Sequence, residues 1–240
     1  MPTVKQRFGQ WLFPRLPITR WLFDILRDEA NAGMTTAINA VSPSRRRRVR
    51  ALHAQRALLV NVACGPHVLD GYVNVDLHAA SSRVIAWDCR RSLPLADGSA
   101  AGIRAEQFVE HLETREELPQ FLRDCHRALQ DGGVLRVIVP DAERYLHAYC
   151  CGGFAGFHDL GWTRLPDDLP TRMDLVNHVF HQWQEHRWAY DFETLKHRLT
   201  AAGFATVEKR RFRDSTLPAL AEDRDVHAPY SLYVDATKTA

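Results

Sequence analysis

The residues best suited to chemistry stand where short apolar runs end. Leu58 to Val62 is an apolar run of strand length that leads into Ala63-Cys64-Gly65, and a second run, Tyr72 to Val75, ends on Asp76. Beyond the carboxyl end of a strand, a glycine lets backbone approach a ligand, and an acid closing the next strand can accept both hydroxyls of a ribose. The spacing therefore predicts a nucleotide-type site at Gly65 and Asp76.

Further polar positions share this placement at the ends of predicted strands. They are Asp88 with Cys89 after Arg83–Trp87, Glu106 with Gln107 after Ala100–Ala105, and Asp141 after the near-continuous apolar run Val134–Val139. A near-continuous apolar run is typical of a strand that is buried on both faces. If the strands are parallel, we expect all of these side chains at one edge of the sheet.

Histidines provide candidate acids and bases. His111 follows Glu110 just past the predicted fourth strand, and His186 stands in the stretch EHRWAYD before a predicted helix. An acid-histidine pair can bind a divalent cation, but a structural or orienting role for Glu110 and His111 is favoured, and no metal site is expected. His178 and His181 have helical spacing and could bind zinc with Cys150 or Cys151, although no CxxC or HExxH pattern supports that interpretation.

The elements that must position these residues alternate between strand and helix. Leu118, Phe121, Leu122, Cys125 and Leu129 follow the helical period until Gly132-Gly133, and Asp191 is placed to cap a helix that Gly203 ends. Ala205 to Phe212 and Tyr230 to Ala236 read as two final strands. The pattern predicts an α/β domain.

The order of the motifs resembles that of class I S-adenosylmethionine-dependent methyltransferases, most closely the methyltransferase type 11-like proteins often found near bacterial surface-polysaccharide genes. The resemblance rests on the stretches ACGPHVLDGYVNVD, WDCRRSLPLADGSA, EQFVEHL, FLRDCHRALQDGGVLRVIVPD and HRWAYDFETLKHRLTAAGF, and it covers roughly Leu58 to the C-terminus. It implies a Rossmann-like, mostly parallel seven-stranded sheet with the last strand antiparallel, helices on both faces and an N-terminal helical extension. The implied domains are 1–57 for the extension and 58–240 for the methyltransferase domain, in which 141–190 covers the substrate.

The resemblance also implies a cofactor and a reaction. S-adenosylmethionine would bind along the first four strand ends, with Asp76 on the ribose and Asp88 and Cys89 flanking the adenine. The full set of implied cofactor-binding residues is Ala63, Cys64, Gly65, Asp76, Leu77, Asp88, Cys89, Glu106 and Gln107. Ala63 occupies the first glycine position of the family's turn. The expected reaction is O-methylation of a sugar or other small acceptor in surface-glycan biosynthesis, with His186, His111 and Asp141 as candidate bases.

Composition is consistent with one enzyme-sized domain. The chain has 240 residues, a net charge of +2 and a pI near 8.3, which is too mild a charge to imply an obligatory nucleic-acid partner. The five cysteines predict reduced thiols, hence a cytoplasmic protein. The apolar clusters Trp11-Leu12-Phe13 and Trp21-Leu22-Phe23, with basic residues between them, predict amphipathic helices that pack on the core or bind the inner membrane surface peripherally.

Two other functions are compatible with these patterns. The alanine at position 63 and the lack of an unmistakable base also fit a catalytically silent cofactor-binding partner in a glycan-assembly complex. The basic run Arg45 to Arg48 and the aromatic content of 141–190 also fit a nucleic-acid methyltransferase. Methyl transfer from labelled cofactor separates the first from an enzyme, and salt-dependent binding to RNA or DNA tests the second.

Overall fold

A computed structural model describes residues 19–79 and 81–239. Its α-helices are α1 (Arg20–Val41), α2 (Pro43–His53), α3 (Glu117–Ala128), α4 (Ala142–Cys150), α5 (Ala155–His158), α6 (Arg172–His181) and α7 (Phe192–Ala201). Its strands are β1 (Leu58–Val62), β2 (Val73–Asp76), β3 (Val84–Ala86), β4 (Ala100–Glu106), β5 (Leu129–Pro140), β6 (Thr206–Arg210) and β7 (Ser231–Thr237). Short 3-10 turns follow β4 and α6 and interrupt the long connection from β6 to β7.

The strands form one seven-stranded sheet in the order β3-β2-β1-β4-β5-β7-β6. The pairs from β3 to β5 are parallel, and β7 lies antiparallel to both of its neighbours, β5 and β6. The direction of strand addition reverses between β1 and β4, so a crevice opens there beyond the carboxyl ends of the strands. The predicted fold class is confirmed.

The main apolar core lies between one face of the sheet and the helices α3 and α7. Alternate strand residues such as Val60, Ile103 and Val137 are completely buried there with Phe121 of α3 and Leu195 of α7. The period of two in the strands and of about 3.6 in the helices brings these side chains onto facing surfaces.

The opposite face of the sheet is polar where it is buried. Arg104 of β4 and Arg136 of β5 pair in register and are almost fully buried. Arg136 binds Asp223 at 2.6 Å and Asp235 at 2.8 Å, and it also donates to backbone carbonyls of the connection between β6 and β7. Segment 211–230 therefore covers this face through ion pairs as well as apolar contacts, because its Leu217 and Leu220 also pack against Gly102.

The helices α1 and α2 lie at the β3 edge of the sheet. Asn39 donates to the carbonyl of Ala86 at 2.9 Å, and Arg48 donates to the carbonyl of Val84 at 3.1 Å. Helices are thus present where an N-terminal helical extension is predicted, while the division into 1–57 and 58–240 stays a prediction. The apolar cluster at positions 11–13 lies outside the described residues. Within the described ranges, no helix is both long and apolar enough to cross a membrane.

The boundary between α3 and β5 differs from its prediction. Leu129 continues the helical stripe in the sequence, yet α3 ends at Ala128 and Leu129 begins β5, where it pairs with Ala100. Gly132 has a φ of +75° in the irregular first part of this strand, so the glycine pair serves a bend and does not end the helix. The helix predicted after Asp191 is confirmed. The Asp191 carboxylate accepts a hydrogen bond from the Thr194 amide at 2.7 Å and so caps the first turn.

Candidate functional site

The turn after β1 has a left-handed backbone. Ala63 and Gly65 both have a φ of +50°, a conformation that suits glycine and costs a residue with a side chain about 1 to 2 kcal/mol. The Cys64 amide donates to the carbonyl of Val75 at 3.2 Å and ties the turn to β2. A side chain built at Gly65 would meet only open space. The turn therefore presents backbone, and room beside it, at the crevice.

Asp76 closes the same side of the crevice. One of its carboxylate oxygens accepts from the Gly65 amide at 2.8 Å, and the other accepts from the His78 amide at 2.7 Å. Asp76 and the following Leu77 are half-buried, so part of each residue is exposed to solvent. Each carboxylate oxygen retains acceptor capacity for a further donor.

The residues after β3 lie beside this turn, but Asp88 already has a partner. The Cys89 thiol lies against the backbone of Ala63, near Cys64 and Asp76. Asp88 is buried, and its two oxygens accept from the Arg90 guanidinium at 2.9 and 3.0 Å. The adenine-binding role expected of Asp88 thus stays a prediction that competes with an internal ion pair.

The buried thiols are not activated nucleophiles. Burial, with a smaller contribution from the negative charge of Asp76, raises the pKa of the Cys64 thiol to about 11. Burial also raises the pKa of Cys89 well above its usual value. Both groups remain neutral at physiological pH, where they can contact a ligand but cannot attack it.

Glu106 and Gln107, two predicted cofactor-binding residues at the end of β4, have side chains that already bind other residues of the protein. Glu106 accepts from Arg104 at 2.9 Å and from His227 at 2.9 Å, so its carboxylate is already engaged on the covered face of the sheet. Gln107 has a φ of +52°, which turns the chain sharply, and its side chain donates to the Ser231 hydroxyl at 3.1 Å. Left-handed backbone at Ala63 and at Gln107 flanks the crevice on both sides, and strain of this kind often accompanies a binding site.

Two of the predicted bases meet beyond β4. The rings of His111 and His186 lie edge to face with centroids 4.8 Å apart, and Glu110 is beside them. Burial lowers the pKa of His186 to about 4 and also lowers the pKa of His111, so both rings are neutral at pH 7. Burial raises the pKa of the Glu110 carboxyl to about 8.

Asp141, the third predicted base, lies elsewhere. Its carboxylate is buried and faces Lys209 of β6 at 3.7 Å, while its backbone bridges to Tyr190. Burial raises its pKa. Asp141 does not belong to the cluster of Glu110, His111 and His186. Its role as a base stays a separate prediction.

A cavity of about 330 Å³ opens beside the histidines, beyond the ends of β4 and β5. Its walls come from 141–190 and from the connection before β7, and they include Gln107, Tyr145, Trp162, His186, Pro229 and Tyr230. The wall formed by Val226, Pro229 and Tyr230 is absent from the sequence prediction, which places the first two residues between the last two strands and Tyr230 at the start of the last strand. Tyr149 does not line this cavity; its ring lies 5.4 Å from the Arg172 guanidinium carbon.

No family model matches the chain, and no curated protein is similar to it. Solved structures with a similar fold include an S-adenosylmethionine-dependent methyltransferase from Archaeoglobus fulgidus, 19% identical over 90% of this chain and 100% of its own, with a TM-score of 0.48. The 1,6-didemethyltoxoflavin-N1-methyltransferase of Burkholderia thailandensis, solved with bound S-adenosylhomocysteine, is 14% identical over 94% of this chain and 92% of its own (TM-score 0.47).

A possible histamine N-methyltransferase from Thermotoga maritima is 18% identical over 80% of this chain and 86% of its own, with a TM-score of 0.47. The structures from Archaeoglobus fulgidus and Thermotoga maritima are of S-adenosylmethionine-dependent methyltransferases, and the methyltransferase from Burkholderia thailandensis holds S-adenosylhomocysteine. Because the similarities are low, a functional assignment depends on the strand order and on the residues at the strand ends.

Proposed function

We propose that this protein binds S-adenosylmethionine in the crevice beyond β1 to β4 and transfers its methyl group to a small acceptor in the neighbouring cavity. One observation carries the proposal: at the topological switch point, the left-handed turn at Ala63 to Gly65 is bonded to the acid that ends β2. This is the arrangement in which α/β sheets bind nucleotide-like ligands, and the sequence motifs resemble those of enzymes that use this cofactor.

The residues of the crevice fit most of that cofactor. Open space at the Gly65 Cα leaves room for backbone contact, and the half-buried Asp76 carboxylate is free to accept from ribose hydroxyls. The neutral thiols of Cys64 and Cys89 provide a soft, uncharged wall. Asp88 fits less well, since an adenine amine would have to share its carboxylate with Arg90.

The proposed chemistry asks mainly for alignment. The sulfonium of the cofactor supplies an electrophilic methyl carbon, so an acceptor held in line can react with little further assistance. A hydroxyl acceptor also needs a proton acceptor. His186 lines the cavity and is neutral, and we assign it that role.

The acceptor we propose is a small molecule with a hydroxyl group, with a sugar of a surface-glycan precursor as the first choice. The cavity volume of about 330 Å³ suits one ring-sized group. Tyr145, Trp162 and Tyr230 give the cavity aromatic walls on which the apolar face of a sugar can stack.

Cofactor binding is tested by thermal unfolding with S-adenosylhomocysteine. A ligand that prefers the folded state must raise the melting temperature, and Asp76→Ala should weaken binding by about 1.5 to 3 kcal/mol, the range for a hydrogen bond to a charged group. Asp70→Ala is the matched control, because Asp70 is an exposed acid of the same connection that pairs with Arg83. A wild-type protein that shows no shift at millimolar ligand would refute the proposal.

Peripheral membrane association is a further part of the proposal, and α1 supports it. Leu26, Met34 and Val41 are 55%, 57% and 74% exposed, and α2, which follows α1 directly, has exposed arginines. We expect cosedimentation with vesicles that contain phosphatidylglycerol, and its loss in the double variant Leu26→Ser, Met34→Ser. Leu146→Ser, on α4, is the control. Equal sedimentation of both variants would contradict a docking role for α1.

A further inference from the structure

Three potential metal ligands converge just beyond β4. Glu110 and His111 belong to the 3-10 turn after the strand, and His186 arrives from the segment between α6 and α7. One ligand atom from each residue lies within 4.8 Å of the other two. Donor atoms around a bound zinc ion lie about 3 to 3.5 Å apart, so a small contraction brings the three into a first coordination sphere.

The Glu110 carboxylate has no other partner in the described part of the chain. The residue is 1% exposed, and neither of its oxygens accepts a hydrogen bond there. Burying a carboxylate without a counter-charge or donors costs several kcal/mol. A cation between Glu110 and the two imidazoles would offset that cost directly.

Both histidines are oriented as metal ligands usually are. The Nδ1 atom of His111 lies 3.1 Å from the carbonyl oxygen of Glu185, and the Nδ1 atom of His186 lies 2.6 Å from that of Val179. A carbonyl only accepts, so each Nδ1 must be the protonated nitrogen and each Nε2 holds a free lone pair. Carbonyl groups fix the rings of many metal-binding histidines in this way.

The backbone holds the two halves of the cluster together. The amides of Arg187 and Trp188 donate to the Glu110 carbonyl at 2.7 and 3.3 Å. With the bond from His111 to Glu185, these contacts fix the segment around His186 against the turn after β4. Backbone hydrogen bonds therefore hold the three potential ligands close to one another.

We propose that Glu110, His111 and His186 form a binding site for a divalent transition-metal ion. Two imidazoles and one carboxylate suit Zn²⁺, Co²⁺ or Mn²⁺ better than Mg²⁺ or Ca²⁺, which prefer oxygen ligands. Three protein ligands leave coordination positions open, and His186 faces the cavity, so an oxygen of a cavity ligand can complete the sphere. With the metal bound, the Nε2 lone pair of His186 is occupied, so the role of proton acceptor assigned to His186 applies to the metal-free protein. Metal binding here does not require that the protein bind S-adenosylmethionine.

The test is a calorimetric titration of untagged protein, stripped with EDTA, with Zn²⁺ and with Co²⁺. We expect one site per chain, a visible Co²⁺ absorption band from imidazole coordination, and affinity reduced about a hundredfold or more in Glu110→Gln and in His111→Ala. His181→Ala is the matched control, because His181 is an exposed histidine at the end of α6 and should bind the metal as the wild type does.

Folding is controlled within the same experiment. Glu110→Gln replaces a buried carboxyl group that has no hydrogen-bond partner with a neutral amide of the same size, so its metal-free melting temperature should stay close to or above that of the wild type, while the rise on adding Zn²⁺ disappears. Wild-type protein without a saturable site, or Glu110→Gln binding as tightly as the wild type, overturns the proposal. No cofactor is added, so the result is independent of whether methyl transfer is the reaction.

Discussion

Ala63 is the residue at which the turn after β1 is under strain. Its φ of +50° is one that glycine adopts without steric cost, whereas a residue with a side chain loses about 1 to 2 kcal/mol. Ala63→Gly removes that steric cost, but glycine also increases the entropy of the unfolded state, which destabilises the fold by about 0.5 to 1 kcal/mol. We expect a net stabilisation of about 0.5 to 1 kcal/mol in urea unfolding.

Ala57 is the matched control for Ala63, because its φ is +54° and it precedes β1, away from the carboxyl ends of the strands. Ala57→Gly should give the same gain in stability. Only Ala63→Gly should alter the affinity for S-adenosylhomocysteine, and in the direction of tighter binding, since it relaxes the turn beside the proposed cofactor site and removes a methyl group that packs partly against the core. Weaker cofactor binding in Ala63→Gly would show that this methyl group makes a favourable contact.

The position of a residue was predictable where a local rule fixes it, while its role in binding stays a prediction. Gly65 and Asp76 follow from a strand, a turn and an acid in order, and the structure bonds them to each other. Asp88 and Glu106 have the right position, yet their carboxylates bind Arg90 and Arg104. The position of a carboxylate at a strand end does not reveal which basic side chain will form an ion pair with it in the folded protein.

The cluster of Glu110, His111 and His186 is a second case in which the sequence does not reveal a tertiary contact. Here it hides a candidate site, whereas at Asp88 and Glu106 it hides an existing ion pair. The pair Glu110-His111 is visible in the sequence, but its third member lies in another segment, and only the folded chain brings His186 to it. A sequence without a neighbouring third ligand therefore favours a structural role. The contact is decided by tertiary packing between the turn after β4 and the segment after α6.

At the scale of elements, β4 and β5 each contain a buried arginine that the hydrophobic pattern of the sequence does not predict to be buried. Arg104 and Arg136 interrupt otherwise apolar strands, and both are buried in ion pairs with acids that come from the connection before β7 or from β7 itself. The prediction that the run Val134–Val139 is buried on both faces holds for Arg136 too, but ion pairs and not apolar contacts bury that side chain. A long polar loop could be recognised, but not that it covers a sheet.

Glu106 provides a pH-dependent test of this covered face. Burial alone would raise its pKa, but the hydrogen bond from His227 and the charge of Arg104 outweigh burial and hold the pKa at about 2, below the usual 4.5. A depressed pKa stabilises the fold above the unfolded-state value, and the contribution is lost as the pH falls from 4.5 towards 2. At pH 7 this contribution to the free energy of unfolding is on the order of 3 kcal/mol.

Glu106→Gln should therefore lower the free energy of unfolding at pH 7, and the difference from the wild type should shrink steadily below pH 4.5. Urea unfolding at pH 7, 4 and 3 measures it. Glu193→Gln, at an exposed position in the first turn of α7, should show little difference at any pH. A gap between wild type and Glu106→Gln that stays constant from pH 7 to pH 3 would mean that the ion pairs of Glu106 contribute no net stability.

At the scale of the whole molecule, the described residues form two apolar clusters with different tasks. The sheet core contains the strands with α3 and α7, whereas a second cluster within 141–190 gathers Tyr145, Phe157 and Leu175 around α4 to α6. The proposed cofactor contacts belong to the first unit and most of the cavity wall to the second. The aromatic content of 141–190 predicts a segment that covers the substrate, and this role stays a prediction. The sequence does not indicate which aromatic residues face the cavity.

Because the two units make different contacts, recognition of the acceptor should be separable from binding of the cofactor. Trp162 lines the cavity and lies on the second cluster, so Trp162→Ala should lower acceptor affinity or turnover about tenfold, in line with the loss of an aromatic stacking contact of about 1 to 1.5 kcal/mol. Affinity for S-adenosylhomocysteine should remain unchanged. Tyr149→Ala is the matched control, because Tyr149 packs on the same cluster outside the cavity.

A double-variant cycle with Asp76→Asn makes this test quantitative. Distant sites without shared partners have additive effects, within about 0.3 to 0.5 kcal/mol. We expect Asp76→Asn to weaken only the cofactor, Trp162→Ala to weaken only the acceptor, and the double variant to show the sum of the two. Loss of cofactor binding in a folded Trp162→Ala, or a coupling energy well above the additive range, would mean that 141–190 helps to shape the cofactor crevice and that one site, not two, spans both units.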